Sequence, residues 1–155
     1  RINPKEAGEF LDTMSKVYRY ILKNKENETV VLGEELKFVA LYIQLQKTRF
    51  GDGLKINIDI PDEYLHRRIA PVTLQNLVEN AIKHNIADAD EPLVVELYIE
   101  DDYLVVMNHL RRKNFVETSN QQGLNSMVSL YRFLSDRPLM IEETADRWIV
   151  KVPLI

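Results

Sequence analysis

Apolar positions along the chain change period several times, and each change marks an element. Between Glu6 and Lys23 they fall at Phe10, Leu11, Met14, Val17, Tyr18, Ile21 and Leu22, the i, i+3, i+4, i+7 recurrence of an amphipathic helix. Asn24 to Glu28 is polar and reads as a loop. A second helix is predicted from about Gly33 to Arg49. It is apolar on two faces, with Leu36, Val39, Ala40 and Ile43 on one and Phe38, Leu41, Tyr42 and Leu45 on the other. Such a helix must be covered on more than one side. Gly51-Asp52-Gly53 ends it.

The period then drops to two. Leu54, Ile56, Ile58 and Ile60 alternate with Lys55, Asn57 and Asp59, which predicts a half-buried strand closed by Pro61. Pro71 suits the start of a third helix running to about Ala87. Strands are predicted at Leu93–Glu100 and Tyr103–Asn108, around a tight turn at Asp101-Asp102. His109–Gln122 is polar and aperiodic, and reads as a mobile loop. A fourth helix, from about Gly123 to Leu134, carries Leu124, Met127, Val128, Tyr131 and Leu134. Leu139–Glu142 and Trp148–Val152 are predicted as a hairpin around Ala145-Asp146. A sheet covered on one face by helices accounts for this order.

Composition narrows the function classes. The 155 residues fit one domain. A net charge of -4 argues against a nucleic-acid partner, and the short basic runs Arg67-Arg68 and Arg111-Arg112-Lys113 read as solvated loops. Without cysteine there is no disulfide or thiolate metal site. No apolar run reaches the roughly 20 residues that cross a bilayer, and no signal-peptide pattern opens the chain. A soluble fragment is expected.

The segment 74–84 carries the candidate chemistry. On a helical wheel Leu74, Leu77, Val78, Ala81 and Ile82 share one arc, and Asn76, Glu79, Asn80, Lys83 and His84 the opposite one. A solvated outer face is one reading. Asn is a poor choice for a plain helical surface, however. Two Asn one turn apart would project amide oxygens suited to a hard cation such as Mg²⁺, and Lys83 on the same face could meet a phosphate. The residues alone leave both readings open. His84 by itself reads as a helix-end residue complementing the dipole. Glu79 is either a general base or, the preferred reading, the ion-pair partner of Lys83 at i+4.

Leu-Gln-Asn-Leu-Val-Glu-Asn-Ala-Ile-Lys-His (74–84) resembles the N-box of the GHKL ATPases, and within them the LytS-type sensor histidine kinases. Segments 19–22, 44–52, 58–61 and 150–154 resemble that family in the same order, so the likeness covers nearly the whole chain. It implies an α/β fold, a two-layer sandwich of the Bergerat/GHKL type whose mixed sheet is covered by helices on one face. It implies ATP and Mg²⁺ as ligands. Asn80 would coordinate the Mg²⁺ with Asn76 beside it, and Lys83 and His84 would approach the phosphates. His109–Gln122 would be the lid, and Gly123-Leu124 would open a helix whose amides face phosphate, as helix N-termini suit anions. Residues 1–28 would belong to a dimerisation or linker region and 29–155 to the ATP-binding catalytic domain. The parent would be a homodimeric kinase that phosphorylates one of its own His and passes the phosphoryl group to a response regulator. This would be its cytoplasmic domain, joined to an inner membrane only through segments upstream of this sequence.

Three departures stand against the pattern. The adenine box, Asp-Asn-Gly-x-Gly in the family, reads Met107-Asn108-His109-Leu110-Arg111, so Asn108 could accept a hydrogen bond from adenine only through an uncharged amide oxygen. The Gly-x-Gly-Leu motif keeps Gly123 but has Gln121 in place of its first glycine. Ile2-Asn3-Pro4 resembles the start of the phosphoacceptor motif, but Lys5 stands where its His would be. No phosphoacceptor His is identified, since His66 and His109 fall in predicted loops or strand ends. A degenerate GHKL domain acting as a docking module is therefore the alternative to the enzyme. A mechanical GHKL ATPase fits less well, because Asn76 stands where those enzymes usually place a Glu.

Overall fold

The computed structural model describes residues 3–85, 91–110 and 121–155, without the side chains of His84, Gln121 and Gln122. In chain order the described elements are α1 (Pro4–Lys23), β1 (Val30–Val31), α2 (Leu32–Phe50), β2 (Leu54–Asp59), β3 (Arg68–Ile69), α3 (Thr73–His84), β4 (Leu93–Glu100), β5 (Tyr103–His109), α4 (Gln121–Leu134), β6 (Met140–Glu143) and β7 (Arg147–Pro153). Five strands form one sheet in the order β2-β4-β5-β7-β6. β2 runs parallel to β4 and the other neighbours are antiparallel, so the sheet is mixed. The hairpin β4–β5 turns on Asp101 and Asp102, both at positive φ, as a tight two-residue turn requires.

One face of the sheet packs on helices. Leu54, Leu93, Val95, Leu97, Leu104, Val106, Val150 and Val152 meet Val39 and Ile43 of α2, Leu74, Leu77, Val78, Ala81 and Ile82 of α3, and Met127 and Tyr131 of α4. This is the predicted two-layer arrangement. The second face of α2 is covered by α1, where the Tyr20 and Phe38 rings stack at 4.1 Å. α1 itself begins with a proline behind an Asn3 side-chain cap, whose Oδ1 accepts from the Glu6 N–H at 2.8 Å. Its apolar residues divide between two stripes. Val17 is buried toward α2, whereas Leu11, Tyr18 and Leu22 are exposed.

Several expectations need correction. β1 and β3, too short to show any alternation, were not predicted; they pair antiparallel at Val30↔Ile69 and Val31↔Arg68. The Arg67-Arg68 run is tied down rather than a solvated loop. Arg67 grips Asp102 with two hydrogen bonds of 2.9 and 3.0 Å, which hold the Asp102 carboxyl below its ordinary range, and Arg68 Nε donates to Thr29 Oγ1 at 2.8 Å. The strand β5 continues through His109, and the Leu110 N–H donates to the Asp146 carbonyl at 2.8 Å, so the expected loop starts later than position 109. Ile58, expected on the covered side of its strand, is 44% exposed on edge strand β2. The third helix starts at Thr73, not Pro71, and positions 86–87 of its predicted span lie outside the described residues.

Candidate functional site

The site is built on α3, and the start of α3 is fixed by groups from three other helices. Val72 precedes it at φ 58, a left-handed conformation unusual for a β-branched residue, and offers no capping side chain. The acceptor comes instead from Glu35 on α2. Its Oε1 accepts from the Leu74 N–H at 3.1 Å and its Oε2 from the Val72 N–H at 3.3 Å. The hydroxyl of Tyr20, on α1, donates to the same Oε2 at 2.6 Å. Glu35 is fully buried. Burial pushes its pKa up, and the hydrogen bonds from Tyr20 and the α3 backbone work against that rise. On the other side Tyr131 of α4 accepts from the Ala70 N–H at 2.9 Å and shares a hydrogen bond with Thr73 Oγ1 at 2.7 Å, while Thr73 Oγ1 also reaches the Ala70 carbonyl at 2.7 Å. Burial pushes the Tyr131 phenol up to about 12.

With α3 so held, its apolar arc lies in the core and its polar arc divides. Asn76 is exposed, whereas Asn80 keeps only 8% of its surface. No described residue hydrogen-bonds the Asn80 amide, and since no buried side-chain N or O among the described residues lacks a partner, that amide keeps contact with solvent. The residue is therefore nearly covered while its amide still opens to solvent, where a ligand can reach it. Glu79 and Lys83 form the expected i, i+4 ion pair at 3.8 Å, both half-exposed. The side chain of His84 lies outside the described residues.

Asn108 sits near the end of β5, two residues beyond Val106 and four beyond Leu104. Strand alternation therefore puts it on the sheet face that packs against the helices. It is 1% exposed, and its Nδ2 donates to the His109 carbonyl at 3.0 Å. Gly123 lies in the first turn of α4, which begins two residues earlier than predicted. Its amide is thus among the four that open a helix without an intrahelical partner. Among the described residues a Cβ added at Gly123 would meet nothing within 4 Å, so their packing does not demand glycine there. Leu124 is half-buried against the core. The lid expected at 109–122 lies outside the described residues from 111 to 120, as does the run Arg111-Arg112-Lys113. His66 falls in a turn and His109 ends a strand, as expected.

Glu35, Thr73 and Tyr131 escaped the sequence reading. Glu35 had left a signal, since it sits in the apolar stripe of α2 with Leu32, Phe38, Val39 and Tyr42 at helical spacing. A carboxylate inside such a stripe is buried only when it is paired.

The cytoplasmic segment of the histidine kinase QseC superposes on all of this chain (100%) and 98% of its own, with TM-score 0.55 at 14% identity. The Acinetobacter baumannii histidine kinase AdeS covers 94% of this chain and 76% of its own, with TM-score 0.51 at 11% identity. The catalytic domain of the histidine kinase ThkA, in a nucleotide-free form, covers 81% of this chain and 95% of its own, with TM-score 0.55 at 13% identity. The fold is that of histidine-kinase catalytic domains. A family model described as histidine kinase matches residues 1–54, which hold α1 and α2 rather than the asparagine helix. Sensor protein kinase HptS of Staphylococcus aureus (strain USA300) is 39% identical over 83 residues, 54% of this chain. Those residues make up 16% of that relative, so the chain spans a small part of its length. Sequence and fold together relate the chain to the sensor histidine kinases. Among the described residues no helix is long and apolar enough to cross a membrane.

Proposed function

We propose that this chain is the Mg-ATP-binding catalytic domain of a LytS-type sensor histidine kinase. The observation that carries the reading is Asn80, nearly covered in mid-helix with its amide open to solvent rather than bonded to a described residue, on a helix packed against the same sheet face that bears Asn108.

The residues fit the ligands. The Asn80 amide oxygen is a hard donor of the kind Mg²⁺ takes, with Asn76 available one turn earlier. Mg²⁺ is commonly held by one or two protein groups together with substrate phosphates rather than by a full protein cage. Lys83 would meet phosphate charge if it swung from Glu79, with His84 beside it. The first-turn amides at Gly123 and Leu124 would face phosphate oxygens. Asn108 Oδ1 would accept from the adenine amino group. When bound, Mg²⁺ would neutralise charge on the phosphates during transfer. The protein's own part is to place the nucleotide and keep the γ-phosphoryl group aimed at a His outside this sequence.

On this reading residues 1–28 form the end of a dimerisation or linker region and 29–155 the catalytic domain. The exposed stripe Leu11, Tyr18 and Leu22 supports packing of α1 against a second copy in a homodimer. The parent would hand phosphate to a response regulator, with this domain in the cytoplasm and any inner-membrane region upstream.

The test is a titration with a fluorescent ATP analogue, with and without Mg²⁺. Saturable, Mg²⁺-dependent binding that disappears in Asn80→Ala is the expected result. No binding at millimolar nucleotide would favour the docking module instead, a reading to which the uncharged, backbone-tied Asn108 lends support.

A further inference from the structure

We propose that Glu35 is the positioning residue of helix α3, and that its hydrogen bond from Tyr20 couples α1 to the helix that carries Asn76 and Asn80. The nucleotide side of this inference rests on the function proposed above; the coupling of the two helices does not.

Helix α3 has no cap in its own sequence, because the residue before it is Val72. First-turn N–H groups need acceptors from somewhere. Glu35 supplies them across 39 residues of chain, to Leu74, and across 37 residues to Val72. The Tyr20 hydroxyl completes its shell. Every one of these contacts brings a hydrogen to the carboxylate, which has only acceptors to offer. Because the carboxylate is fully buried, it cannot turn away without leaving donors unpaired, and that loss is larger than the net worth of the bonds.

The result is a continuous path. It runs from the Tyr20 hydroxyl on α1, through the Glu35 carboxylate on α2, to the backbone of Val72 and Leu74, with Asn76 and Asn80 in the two turns that follow. The Tyr20 ring is itself clamped, stacked on Phe38 at 4.1 Å and 14°. A rotation or slide of α1 therefore pulls on one oxygen of the group that fixes both the left-handed turn at Val72 and the start of α3.

The experiment uses the full chain as wild type, Tyr20→Phe and Glu35→Gln. Hydrogen exchange of the α3 amides is compared with that of the β5 amides, and Mg²⁺-dependent binding of a fluorescent ATP analogue is measured alongside. Tyr20→Phe keeps the ring stack and removes one hydrogen bond to a carboxylate, so α3 exchange should rise about tenfold while β5 is unchanged. Nucleotide affinity should fall several-fold, and Glu35→Gln should exceed Tyr20→Phe in both readouts. Should Glu35→Gln not fold, Tyr20→Phe alone decides. Unchanged α3 exchange in folded Tyr20→Phe overturns the proposal, and so does a rise of equal size in β5. Faster α3 exchange in a chain whose wild type binds no nucleotide upholds the coupling and removes the nucleotide reading.

Discussion

The hydroxyl of Tyr131 lies 2.7 Å from Thr73 Oγ1, joining α4 to the first residue of α3 inside the core. The same hydroxyl takes the N–H of Ala70, so one phenol oxygen serves the backbone before α3 and the side chain that opens it. Tyr131→Phe keeps the ring and strands a buried N–H. Leaving such a donor unpaired costs about 1–3 kcal/mol. Urea denaturation should show a loss of that size with the sheet's circular dichroism unaltered, and a stability equal to wild type would contradict the packing described.

Asn76 and Asn80 should separate in binding. Asn80 is nearly buried and Asn76 exposed. Asn80→Ala removes no described protein hydrogen bond, so its stability should stay within about 1 kcal/mol of wild type while Mg²⁺-dependent nucleotide binding is lost. Asn76→Ala should weaken binding less. Calorimetric titration of both variants checks the order, and equal losses would remove the distinction drawn from burial.

Gly123 offers a substitution in which fold and ligand pull in opposite directions. Among the described residues there is room for a methyl group, and alanine in place of helical glycine is worth roughly 0.5–1 kcal/mol. Gly123→Ala should therefore melt slightly higher than wild type. If the first turn of α4 approaches phosphate, the same methyl should crowd the ligand and weaken nucleotide binding. A variant that is more stable and binds as well as wild type would place the phosphates elsewhere.

The buried Glu35 gives a signed pH dependence. Its folded-state pKa is raised, with burial the largest cause. A raised folded value means its stabilisation is complete below the unfolded pKa and is lost as pH rises through the folded one. The unfolding free energy of wild type minus that of Glu35→Gln should therefore shrink as pH rises from acid toward neutral. Paired urea titrations across that range measure it, and a difference that grows with pH would show that the hydrogen bonds from Tyr20 and the α3 backbone outweigh burial.

Much of this molecule is written in local pattern. The helical recurrence from Phe10 to Leu22, the alternation around Leu54, and the two-arc wheel of 74–84 each record which side of an element is apolar. The observed α1, β2 and α3 follow from them within a few residues. The two apolar faces of α2 likewise foretold two coverings, which α1 and the sheet core supply. The polar residues proposed along 76–84 stand out for a related reason, since amides in mid-helix break the expected composition of a surface.

Tertiary structure decided what periodicity cannot encode. A pattern says that a face is covered but not by whom. It therefore could not show that α1 leaves Leu11, Tyr18 and Leu22 exposed, that Asn80 is nearly buried while Asn76 is not, or that Arg67 reaches Asp102. The two-residue strands β1 and β3 exist only because Val30–Val31 and Arg68–Ile69 are brought together from distant parts of the chain. Glu35 is the clearest case. Its charge is locally out of place, and only when the start of α3 is brought against α2 do the N–H groups arrive that let a carboxylate leave water.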